Sequence, residues 1–123
     1  MKKKSISILG STGSIGQTTL KIIDKKFFLF NIFLLSANKN YSLICKQIKK
    51  YKPAYFVITD NKIYKKIKFK FSNTKTKLLN NFPSINLQKK IDISISAIPG
   101  IAGLSPTILF TKFSKKILIA NKE

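Results

Sequence analysis

The sequence predicts an α/β domain: an open, mainly parallel sheet with helices on both faces. Three observations predict it. Segments of strand length alternate with segments of helical periodicity along 123 residues. The segment Phe30–Leu35 is apolar almost throughout, as a strand is when both faces are covered. The stretch Ile6–Gly16 leads from an apolar strand into a helical pattern through Gly10, Gly13 and Gly16.

The elements follow in order. Ser5–Leu9 is the first predicted strand. From Ser14 a helix follows, with Ile15, Thr18, Thr19, Ile22 and Ile23 as its inward stripe and Lys25 and Lys26 at its cation-favouring carboxyl end. After the strand Phe30–Leu35, Ser42 is the expected cap of a helix running to about Tyr51, with Ile44, Gln47, Ile48 and Tyr51 on one face. Pro53 forces extended backbone ahead of a third strand, Ala54–Ile58. Thr59-Asp60-Asn61 reads as a turn and cap for a short helix with Ile63, Tyr64 and Ile67 inward. From Lys68 to Lys90 periodicity fades, leaving loop with a short strand near Leu78–Leu79. Ile91–Ile98 alternates as a fourth main strand and ends in the turn Pro99-Gly100-Ile101-Ala102-Gly103. Ser105-Pro106 reads as a cap with proline at the first helical position, and Lys115–Ala120 is the last strand.

At this length the chain forms one domain, residues 1–123, burying about two-thirds of its unfolded surface. The short apolar run after Lys2, Lys3 and Lys4 breaks at Gly10, and no stretch reaches the roughly 20 residues of a membrane span. A soluble, cytoplasmic protein is expected. The single cysteine, Cys45, has no histidine to work with, which sets aside cysteine–histidine catalysis. The net charge of +20 sets 24 lysines, without one arginine, against four acids. Since base and phosphate recognition favours arginine, a codon drift toward A and T accounts for the charge better than specific nucleic-acid binding. Weak binding to nucleic acid at low salt follows from the charge on either reading.

The glycine stretch carries the chemistry. Side chains at Gly10, Gly13 and Gly16 would keep a diphosphate from the backbone, and the first-turn amides and dipole of the following helix favour an anion by about 0.3–1 kcal/mol per charge. In dinucleotide-binding folds of the Rossmann type, an acid after the second strand holds the ribose 2′-hydroxyl, whereas a cation there suits a 2′-phosphate. No acid occurs between Asp24 and Asp60, and Lys39 stands between Asn38 and Asn40. That pattern favours NADP(H) over NAD(H), although one solvated lysine among 24 would look the same.

Four blocks, GSTGSIG at 10–16, Ala37-Asn38-Lys39-Asn40, Ala97-Ile98-Pro99-Gly100-Ile101-Ala102-Gly103-Leu104 and Ala120-Asn121-Lys122-Glu123, resemble in order the amino-terminal, cofactor-binding part of 1-deoxy-D-xylulose 5-phosphate reductoisomerases. The resemblance implies a homodimeric enzyme of the non-mevalonate isoprenoid route. Such an enzyme rearranges 1-deoxy-D-xylulose 5-phosphate and reduces the product with NADPH to 2-C-methyl-D-erythritol 4-phosphate, aided by Mn²⁺ or Mg²⁺. By this match Gly10, Thr12, Gly13, Ser14, Ile15 and Gly16 form the NADPH phosphate turn. Asn38, Lys39 and Asn40 lie at the adenosine ribose and its 2′-phosphate, Asn121 and Glu123 contact the cofactor, and Lys122 reaches the substrate.

Three residues depart from the family pattern: Asn38 and Ser114 stand where glycine is usual, and Pro99 replaces an ordinary apolar residue. Asp24, Asp60 and Asp92 fall in contexts that do not converge on a metal, and the family's metal-binding carboxylates lie beyond this segment. The resemblance therefore implies that these residues supply cofactor binding without turnover. The other readings are a basic α/β binding protein without catalysis and a piece of another NADP-dependent reductase.

Overall fold

In a computed structural model, which describes residues 2–120, a glycine turn joins the central strand to the first helix. The strands are β1 (Lys4–Leu9), β2 (Phe30–Ala37), β3 (Tyr55–Ile58), β4 (Lys77–Leu79), β5 (Ile91–Ser96) and β6 (Ser114–Ile119). The helices are α1 (Ser14–Asp24), α2 (Tyr41–Tyr51), α3 (Asn61–Lys70) and α4 (Leu104–Phe113), with short 3-10 turns at Phe82–Ser84 and Ile101–Gly103. All five strand pairings are parallel, in the order β4-β3-β2-β1-β5-β6. Strands β1 to β4 step outward in one direction; the chain then returns across the sheet to place β5 on the other side of β1. The carboxyl ends of β1 and β5 therefore flank a topological switch point, where open α/β sheets bind ligands.

Both faces of the sheet are covered, as the apolar second strand predicts. On one side Ile6, Ile8, Leu35, Phe56 and Ile58 meet Leu20, Ile23, Ile44, Ile48 and Ile67 from the first three helices. On the other, Leu9, Leu34, Val57 and Ile91 meet Phe82, Ile85 and Phe110. Phe82 and Phe110 pack edge to face with ring centroids 6.0 Å apart.

Several local expectations are corrected. The buried face of α1 runs through Gly16, Leu20 and Ile23, while Thr18 and Ile22 face outward, Ile22 being 57% exposed. Ser42 does not cap α2: Asn40 does, its Oδ1 accepting from the Leu43 amide at 3.2 Å. Nor does Ser105 cap α4, which begins at Leu104, two residues earlier than expected, behind Gly103 and without a side-chain cap. Asp60 does cap α3, accepting from the Ile63 amide at 3.1 Å. On β5, whose alternation the sequence shows, Ser94 is fully buried and hydrogen-bonded to Ser7 at 2.7 Å and to Ser114 at 2.5 Å. The hydroxyl of Ser114 thus closes a buried serine ladder across β1, β5 and β6. No helix among the described residues is long and apolar enough to cross a membrane.

Candidate cofactor site at the switch point

Gly10 opens the site. It sits at the end of β1 with φ +86°, in the left-handed region that favours glycine, and a Cβ there would lie 2.9 Å from the Ala97 carbonyl oxygen at the end of β5. Its amide donates to Ser36 Oγ at 2.9 Å, and the Ser11 amide donates to the Ser36 carbonyl at 2.7 Å. The start of the turn is therefore tied to the carboxyl end of β2. Gly16, one turn into α1, is buried against this backbone: a Cβ would come within 2.1 Å of the Gly10 carbonyl oxygen. The requirement at Gly16 is thus close helix-to-turn packing, and the residue does not line the cleft described below.

Gly13 is different. It occupies the N-cap position of α1 with no side-chain cap, and a Cβ built on it meets nothing closer than the Gly10 oxygen at 3.8 Å. Its open side faces a cleft of about 810 Å³ over the switch point. Gly10, Thr12 and Gly13 line that cleft together with Asn38, Ala97, Ile98 and Pro99. The first-turn amides of Ser14 and Ile15 have no acceptor among the described residues, so α1 presents uncapped N–H groups beside the cleft.

Of the other expected site residues, Asn38 reaches the cleft, its Oδ1 accepting from Thr59 Oγ1 at 3.0 Å, on ordinary rather than left-handed backbone. Lys39 is exposed on the adjoining loop, and Asn40 is occupied in part by capping α2. Asn121, Lys122 and Glu123 lie outside the described residues. Ala120, just before them, donates its amide to the Ser96 carbonyl at 2.9 Å, at the same sheet edge as the Pro99–Gly103 turn. A separate wall was not legible in the sequence: Asn80, Asn81, Phe82 and Pro83, from the stretch without periodicity, line the far side of the cleft. The available signals were the pair of adjacent asparagines and Pro83, which sits at the start of the short turn that Asn81 caps.

Residues 6–123 match the sequence profile of the 1-deoxy-D-xylulose 5-phosphate reductoisomerases. The chain belongs to that family. The reductoisomerase of Pelagibacter ubique is 44% identical over 124 residues, covering 98% of this chain and 32% of the relative. That of Buchnera aphidicola from Schizaphis graminum is 40% identical over 126 residues, with 98% and 31% covered. Among solved structures, the Zymomonas mobilis reductoisomerase in complex with NADPH superposes with a TM-score of 0.86 at 25% identity, covering 98% of this chain and 32% of that one. A reductoisomerase in complex with NADPH, fosmidomycin and magnesium gives 0.86 at 28% identity, covering 96% and 30%. The chain spans about a third of the length of the curated relatives it matches.

Within this reductoisomerase segment the three aspartates, all among the described residues, are committed elsewhere. Asp24 accepts from Lys50 at 2.8 Å and from the Tyr51 hydroxyl at 3.0 Å. Asp60 caps α3, and Asp92 accepts from the Ser5 amide at 2.8 Å and pairs with Lys115 at 3.2 Å. The Ser5 amide, with help from Lys115, holds the Asp92 carboxyl below the ordinary aspartate range. Three acids engaged at three separate places do not make a divalent-metal donor set, and no group of three or more metal-ligating side chains occurs among the described residues.

Proposed function

We propose that this chain is the NADPH-binding part of a cytoplasmic, homodimeric 1-deoxy-D-xylulose 5-phosphate reductoisomerase without nucleic-acid specificity. The whole enzyme converts 1-deoxy-D-xylulose 5-phosphate to 2-C-methyl-D-erythritol 4-phosphate. The observation that carries this reading is the glycine turn at the switch point, whose uncapped helix start and open Gly13 face border one cleft.

In this reading the diphosphate sits on the backbone from Thr12 to Ile15, where the helix start offers N–H donors and the absence of a side chain at Gly13 allows close approach. Asn38, Lys39 and Asn40 face the adenosine ribose and its 2′-phosphate, Lys39 supplying the cation that tells NADPH from NADH. Asn121 and Glu123 contact the cofactor further along the same edge, and Lys122 pairs with the substrate's oxygens. Ile98 and Leu109 give the cleft an apolar wall. Bound NADPH supplies the hydride. The described residues offer no donor set for the Mn²⁺ or Mg²⁺ of the family.

Titration of the purified chain with NADPH and NADH, followed by nicotinamide fluorescence, tests the reading. Tighter binding of NADPH is expected; equal or absent binding of the two would overturn it. The chain alone should not oxidise NADPH when given substrate and Mn²⁺ or Mg²⁺, and measurable turnover would show that these 123 residues hold more of the active site than proposed.

A further inference from the structure

Behind the glycine turn lies a polar contact that the dinucleotide pattern does not call for. Gln47, on α2 and only 5% exposed, meets Ser11 with both ends of its amide. Ser11 Oγ donates to Gln47 Oε1 at 2.6 Å, and Gln47 Nε2 donates to the Ser11 carbonyl at 3.0 Å. Ser11 itself is fully buried, and the Ser36 carbonyl holds its amide. A buried amide in an otherwise apolar helix face, between Ile44 and Ile48, costs desolvation that an aliphatic side chain would avoid.

The peptide geometry shows what the contact achieves. The Ser11 carbonyl and the Thr12 N–H belong to one planar trans peptide unit and point in opposite directions. Gln47 draws the carbonyl inward, toward α2, and so turns the Thr12 N–H outward, on the side where Thr12 lines the cleft. Resting on the dinucleotide reading above, we infer that Gln47 is a positioning residue: it aims the Thr12 amide at the cofactor's diphosphate without touching the cofactor. Ser36 fixes one side of the same turn and Gln47 the other, so the peptide cannot flip when the ligand leaves.

Two variants test this in the full chain. In Gln47→Leu both hydrogen bonds are lost, and the dissociation constants for NADPH and NADH rise about tenfold together. The affinity for adenosine 2′-phosphate, which has no diphosphate, stays within about twofold, an outcome that general loss of structure would not give. In Gln47→Glu the protonated side chain still donates to the Ser11 carbonyl and the carboxylate does not. Its NADPH affinity, relative to the unaltered chain at the same pH, is near normal at pH 5 and falls about tenfold by pH 8. Calorimetric titration reads both, and the second variant keeps the test open where the first fails to fold. An unaltered chain that binds neither dinucleotide overturns the site and this inference together. Dinucleotide binding that persists unchanged in Gln47→Leu, or a flat relative pH profile in Gln47→Glu, overturns the role of Gln47 alone.

Discussion

Gly13 and Gly16 belong to one motif but answer to different constraints, and replacing each by alanine separates them. At Gly16 the added Cβ lies 2.1 Å from the Gly10 carbonyl oxygen, 2.7 Å from Ser11 Cα and 2.9 Å from Ser11 C. Ordinary contact begins at 3.4 Å, and all three neighbours are backbone that Ser36 holds in place. Relief therefore requires α1 to lift off the sheet by about an ångström, loosening Leu20 and Ile23. Alanine gains about 1 kcal/mol of helix propensity over glycine, and overpacking against immobile atoms costs about 3 kcal/mol or more, so a net loss near 2 kcal/mol is expected. In urea that corresponds to a midpoint lower by about 1–2 M. At Gly13 the nearest atom is 3.8 Å away, so Gly13→Ala should lose no more than about 1 kcal/mol of unfolding free energy, the N-cap preference for glycine over alanine. Its methyl group stands in the cleft, however, and NADPH binding should weaken at least tenfold. Urea titration monitored by circular dichroism, with cofactor titration in parallel, reads both. A Gly16→Ala chain as stable as the original would mean that α1 does not rest on the turn. A Gly13→Ala chain destabilised as much as Gly16→Ala would refute the assignment of Gly13 to the ligand.

Three further outcomes are expected. Lys39→Ala should lose about tenfold in NADPH affinity with little change for NADH, as read by fluorescence titration, because only the 2′-phosphate engages the ammonium. Ser94→Ala leaves Ser7 and Ser114 without their shared partner inside the sheet and should lower unfolding free energy by about 1–3 kcal/mol in urea titration, unlike a serine replaced on the surface. Asp92 is held below its ordinary value of 3.8 in the folded chain by the Ser5 amide and Lys115, so its contribution is full above that value and disappears as pH falls through the lowered one. The stability advantage of the original over Asp92→Asn should therefore be constant from pH 7 to about 5 and vanish in stronger acid; an advantage that persists there would contradict the pairing.

The parts of the fold that could be read from residues alone were those in which one constraint acts. The turn from β1 into α1 was legible because glycine at Gly10 meets both a positive φ and the approach of Ala97, needs no other residue type satisfies. The parallel sheet was legible because a strand covered on both faces has no polar side to hide it. Elements set by two competing constraints were read slightly wrong. Hydrophobic periodicity alone puts Ile15, Thr18 and Ile22 inward on α1, but Gly16 must face the turn, and that contact rotates the helix until Leu20 and Ile23 are buried and Ile22 is not. Asn40 and Ser42 are both competent caps, and Asn40 prevails because β2 runs on to Ala37, leaving a three-residue loop before α2.

The same competition explains why half of the cleft was invisible. Its far wall comes from a segment whose order depends on single side chains. Phe82 and Ile85 sink beneath Phe110, Asn81 caps the short turn by accepting from the Ser84 amide, and Asn80 donates to the Ile58 carbonyl at 2.9 Å. None of these anchors repeats, so no period betrays them. They exist only because β3 and α4 are already in place to receive them. The glycine turn is held by Ser36 on β2 and Gln47 on α2, whereas the far wall hangs on Ile58 and Phe110, so the two walls share no polar anchor. Disturbing the far wall should therefore leave the glycine turn intact. Phe82→Ala, which empties a buried ring site and costs about 3–5 kcal/mol, is expected to loosen the cleft by freeing Asn80 and Asn81 while amide exchange in β1 and α1 stays the slowest in the chain. Equal acceleration of exchange at Leu9 and Leu20 would show instead that the two walls fold as one unit.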